Sequence, residues 1–151
     1  MTARRAIICF VLVAVVAGIG YCIRLANDLQ ELNEIIRNSY AVWWVADMVI
    51  EHQLANEGAW PRNWDDLRDD YQTCVKRSGQ PWTFEELRSR VIVDWNADPS
   101  ALAKSAKTTD HPEFRVIWLR DGTNAHWESH EPNHIIYDYL RQENEPAKAA
   151  K

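Results

Sequence analysis

Cysteine, glycine and proline are scarce in this chain, at three, five and six among 151 residues. So few cysteines exclude a disulfide-stapled scaffold, and so little glycine and proline exclude collagen-like or low-complexity architecture. There is no excess of basic residues either. The net charge is −5, which argues against a nucleic-acid partner, since such proteins present a basic face. No phosphate loop, dinucleotide fingerprint or nucleophile elbow occurs, and no internal repeat is visible. No cofactor is implied.

Two gaps in the sequence are informative. No proline precedes Pro61, and no glycine lies between Gly20 and Gly58. The uninterrupted stretch begins with Ala6 to Ile23, AIICFVLVAVVAGIGYCI, which carries no charge. As a helix it would be roughly 27 Å long, enough to cross a hydrocarbon core. Arg4 and Arg5 precede it, while Arg24 and Arg37 follow. That bias places residues 1–5 in the cytoplasm and the remainder outside, periplasmic or extracellular. A cleaved signal peptide is the competing reading, with Val15-Val16-Ala17 as its processing site. The helical pattern running on past Ile23 favours a single-pass anchor in the cell membrane. Lipid is then the first partner. Ala14 and Gly18 form a small-residue pair through which spans can associate.

Beyond the span, Leu25, Leu29, Leu32, Ile36, Trp43 and Ile50 recur at spacings of three, four and seven. This is the helical period and predicts one long helix over 24–56, stopped at Gly58 and Pro61. Its lower part shows a narrow apolar seam, suited to lateral protein partners or self-association. From Ala41 to Ile50 it is apolar on every face except at Asp47, so it has to be covered by a domain. Asp47, if buried, needs a partner such as Arg90 or Arg115, or a raised pKa.

Residues 57–140 read as a small α+β head. Asn63 caps a helix from Trp64 to about Asp70, and Thr83 with Glu86 forms a capping box. Arg90–Trp95 and Phe114–Leu119 are β-branched and aromatic, the mark of strands, and His126-Trp127 starts a third. Residues 97–113 are either a loop or a short helix near Ala101 to Ala106. Pro132 opens a final helix, and 141–151 is a polar tail. Trp43, Trp95 and Trp118 are the tryptophans expected to build the core.

The string HQLANEGAWPRNWDDL, residues 52 to 67, carries Gly58, Trp60-Pro61 and Leu67 just where a long helix ends. With the apolar span before it and the small sheet-bearing head after it, the chain resembles the type IV pilins and pseudopilins over residues 6 to 70. The resemblance implies a long helix packed on an antiparallel sheet, and a structural or interaction role in an envelope assembly. Two family features are missing. Nothing in Met1 to Val16 matches a prepilin processing site, and the span contains no acid, so neither processing nor glutamate-guided filament assembly carries over.

Three groups could carry chemistry. His130-Glu131-Pro132-Asn133-His134 is formally the H-E-x-x-H of zinc proteases, but the motif needs a helix and Pro132 steers Glu131 out of one. A looser set, His126, Glu128, His130 and His134, could hold a transition metal in an anchored or secreted hydrolase; surface histidines explain it equally. Asp94, Asn96 and Asp98 alternate like half of a calcium loop without its glycine or its closing glutamate, which turn chemistry also explains. The acids Asp65, Asp66, Asp69 and Asp70 read as a solvated helix face. Cys74, the one thiol beyond the span, reads as buried and inert.

Overall fold

The computed structural model describes residues 3–108, 115–124, 127 and 131–143. The fold is α+β, with a long N-terminal helix, short helices and a two-stranded antiparallel sheet. Helix α1 runs Ala3–Ala55 without interruption. It ends where Glu57 and Gly58 both take positive φ, at 54° and 82°. The Gly58 N–H donates to the Gln53 carbonyl at 2.8 Å, the six-to-one bond of a Schellman stop. The residue in the left-handed position is Glu57 rather than a glycine, which costs backbone strain.

The chain divides into two compact units, Met1–Arg37 and Asn38–Lys151. In the first, the large apolar side chains from Phe10 to Ile36 are exposed. An 18-residue window there has a mean hydropathy of 1.9 and no buried residue, so this helix is long and apolar enough to cross a membrane.

In the second unit, residues 41–53 of α1 supply the core. Ala41, Val42, Val45, Ala46, Met48 and Val49 are all buried. After the stop, Asn63 caps a 3-10 turn, Trp64–Leu67, accepting from the Asp65 and Asp66 N–H groups. The chain continues as α2, Arg68–Tyr71, then a π turn, Gln72–Lys76, a few residues further than the sequence pattern marks. The Thr83–Glu86 capping box opens α3, Phe84–Arg90. Strand β1, Val91–Val93, pairs with β2, Ile117–Leu119, in the register Val91 to Leu119 and Val93 to Ile117. Between them lies α4, Pro99–Thr108, in the stretch where loop and helix were both open. Helix α5, Pro132–Glu143, starts at the expected proline and runs three residues past the expected start of the tail.

Both strands are shorter than the apolar runs that announce them. The Asp94 N–H still donates to the Val116 carbonyl at 2.8 Å, and the chain turns away after it, where the Asp94 carboxylate accepts from the Asn96 N–H at 3.0 Å. No third strand occurs among the described residues, and His126 lies outside them.

The tryptophan expectation needs correcting. Trp60, Trp64 and Trp82 are the buried ones, whereas Trp43, Trp95 and Trp118 are only half-buried. Strand alternation explains Trp118, which faces away from its buried neighbours Ile117 and Leu119. Trp64 meets Phe84 and Trp95 edge-on, Tyr71 meets Phe84 likewise, and the Tyr71 hydroxyl donates to the Trp82 carbonyl at 2.8 Å. This aromatic group ties the 3-10 turn and α2 to α3.

Candidate functional site

Pro132 fixes the local geometry of the H-E-x-x-H string. It occupies the first turn of α5, so Glu131 sits just outside the helix. The Glu131 carbonyl accepts the first helical bond from the Ile135 N–H at 3.2 Å. Its carboxylate accepts from the His134 N–H at 3.1 Å and from Asn133 Nδ2 at 2.8 Å. Both oxygens are therefore committed to a helix cap and a neighbouring amide, not to activating water. His134 is exposed on the first turn, and His126, Glu128 and His130 lie outside the described residues.

Asn133, the unremarked letter of that string, is buried and makes more hydrogen bonds than its neighbours. Its Oδ1 accepts from the Val116 and Ile117 N–H groups at 2.8 and 3.0 Å, and its Nδ2 donates to the Ile117 carbonyl at 3.0 Å. The side-chain amide thus reproduces the pairing of a strand along the outer edge of β2.

Asp94, Asn96 and Asp98 are likewise engaged locally. Asp94 makes the turn already described, and Asp98 accepts from the Ser100 and Ala101 N–H groups at 2.9 and 3.3 Å, capping α4. Among the described residues no group of three or more His, Cys, Asp or Glu side chains could hold a metal ion.

A largely covered polar pair was not visible as a motif. His52 Nδ1 lies 3.1 Å from Asp70 Oδ2, both side chains nearly covered, and joins the end of α1 to α2. Burial pushes the Asp70 carboxyl above its usual range, and the hydrogen bond with His52 partly offsets this. Asp70 is thus not part of a solvated face; Asp65 and Asp66 are, pairing with Arg68 and Arg62. The signal was the helical stripe Leu67, Asp70, Tyr71, Cys74, Val75, in which Asp70 takes an inward position. Cys74 lies in the same stripe, half-buried. Burial first, then the charges of Glu51, Asp47 and Asp70, push its thiol up to about 12. Such a thiol is held protonated at neutral pH, and the fastening between α1 and α2 is the His52–Asp70 pair.

Asp47 is half-buried, and burial raises its pKa against a hydrogen bond from Trp43. Arg90, one of its expected partners, donates to Asn38 Oδ1 at 2.6 Å and lies over the Trp82 ring. The other, Arg115, is exposed and lies over Trp118.

A cleft of about 240 Å³ opens between Gln53, Glu57 and Gly58 of the α1 stop, Pro99, Ser100 and Ala103 of α4, and Tyr139 and Leu140 of α5. Gln53 is fully buried, and neither amide atom has a protein partner. Those atoms are themselves covered, so a solute resting in the cleft meets the polar groups of Glu57, Ser100 and Tyr139 instead.

The described residues therefore assemble caps, a strand-edge mimic and a buried fastening. No family model, curated protein or solved structure matches the chain.

Proposed function

We propose that this chain is a single-pass membrane-anchored protein, with residues 1–5 cytoplasmic and the α+β head outside, and that it serves a structural or protein-interaction role in a cell-envelope assembly. The observation that supports it best is the wholly exposed apolar window of α1 within a helix that continues unbroken to Ala55. A hydrophobic helix with no protein against it needs lipid or another helix. The commitment of the Glu131 carboxylate to a helix cap weighs against the H-E-x-x-H reading alone. The pilin-like reading rests on the string around Gly58 and Trp60-Pro61 and on the order of span, long helix and head.

Alkaline carbonate extraction combined with protease protection tests it. The full-length chain is expected to stay in the membrane fraction, with the head digested from the outer side only. A soluble chain shortened near Ala17 would replace the anchor by a signal peptide, and a head protected until the membrane is breached would reverse the orientation.

A further inference from the structure

Between Arg24 and Arg37 the large apolar side chains, Leu25, Leu29, Leu32, Ile35 and Ile36, are each about half exposed. Their spacing fits the core positions of a heptad, with no domain against this stretch to cover it. With Leu29 and Ile36 in the a position, Leu25 and Leu32 take d and Ile35 takes g. The charged residues fall elsewhere: Arg24 and Glu31 at c, Glu34 at f, Arg37 at b. Only Asp28, at g, flanks the seam.

We propose that residues 22–36 of α1 pair with the same stretch of a second copy of this chain as a short, parallel, in-register coiled coil. The inference rests on the anchored reading, because anchoring in one bilayer sets both helices in the same direction and at the same depth. Leucine at d with leucine and isoleucine at a suits two parallel strands. In that register Asp28 faces Asn33 of the partner subunit, so the one flanking charge meets a neutral hydrogen-bonding group and no like charge. A second copy therefore fits the seam without a clash.

The seam is small. Four half-exposed side chains per copy bury roughly 700 Å² in all, below the ~1,200 Å² of a stable interface in solution. Confinement to a membrane supplies the missing association by raising the effective concentration. The pairing is accordingly a property of the anchored chain.

The chain carries its own reporter. Cys22 is exposed and lies one heptad before Leu29, at a, where two copies bring their side chains together. Cys74, half-buried with its thiol pushed up to about 12, reacts slowly by comparison.

The test is copper-phenanthroline oxidation of the full-length chain in phosphatidylethanolamine/phosphatidylglycerol vesicles, read by non-reducing electrophoresis and intact mass. Wild type is expected to give a covalent homodimer, and Cys22→Ser to lose it. In a Cys9→Ser, Cys22→Ser background, Leu25→Cys or Leu29→Cys should cross-link about fivefold better than Asn27→Cys or Glu31→Cys on the opposite face. Equal yields at all four positions, no homodimer, or adducts of another mass would overturn the pairing. Carbonate extraction of the same vesicles separates the two ideas. A chain that resists extraction but cross-links without facial preference loses only the pairing; one that washes off loses the anchor and the pairing together.

Discussion

Two stretches of the same helix are apolar in different ways. From Leu25 to Ile36 hydrophobic residues form one seam and remain about half exposed; from Ala41 to Val49 they cover nearly every face, and all but Trp43 and Trp44 are buried. A helix that is greasy all round can be satisfied only by a surrounding core, which the strands, α3 and α5 provide. A seam asks for one more helix. Hydrophobicity alone does not separate the two stretches, but its angular spread does.

Truncation gives the largest expected contrast. Met48→Ala should destabilise the full-length protein by about 2–5 kcal/mol, as buried Met-to-Ala changes do. Leu29→Ala, on the same helix, should cost the head no more than the ~0.5 kcal/mol of a surface change. Equal effects in melts followed by tryptophan fluorescence would erase the distinction.

A polar change in the sealed unit ranks next. Asn133→Ala removes the partner of two N–H groups and one carbonyl at the β2 edge and leaves them buried. About 2–3 kcal/mol should be lost. Asn133→Asp should keep the acceptor half and lose the donor half. Denaturant unfolding of both variants reads the split.

Asp47 gives a smaller effect with a definite pH signature. Its folded-state pKa is raised by burial, so the folded chain holds the proton more tightly than the unfolded chain. Its contribution to stability is present below the ordinary aspartate pKa and lost as pH rises through the raised value. Asp47→Asn should therefore stabilise the protein at neutral pH, and the gain should vanish below about pH 4. A gain independent of pH would assign the effect to packing. The smallest shift belongs to the helix stop, where Glu57→Gly should relieve the left-handed strain and raise stability by about 0.5–1 kcal/mol.

Local chemistry was legible in the sequence, and distant chemistry was not. The Asn63 cap and the Thr83–Glu86 box act over two or three residues, so their letters alone announce them. The strands were placed but over-extended, because β-branched runs mark where pairing is favourable and not where Asp94 turns the chain away. Asp70 was grouped with its acidic neighbours, whereas its place in the Leu67–Val75 stripe, together with His52 eighteen residues earlier, decides its fate. Nothing in the letter Asn133 points to a strand edge sixteen residues upstream. The histidine set was legible as a motif, but three of its four members lie outside the described residues, and the glutamate that made it look catalytic is a helix cap.

The amide on the outer edge of β2 also limits how this protein meets others. An exposed strand edge invites a further strand, from a partner or from another copy, and is a common origin of runaway association. Here Ile117 is already paired outward by Asn133, and the Leu119 carbonyl accepts from the Gly122 N–H at 3.1 Å. With those groups occupied, β2 cannot act as a template for sheet growth. This edge of the two-stranded sheet stays closed, with Ile117 and Leu119 buried and Asn133 of α5 holding it.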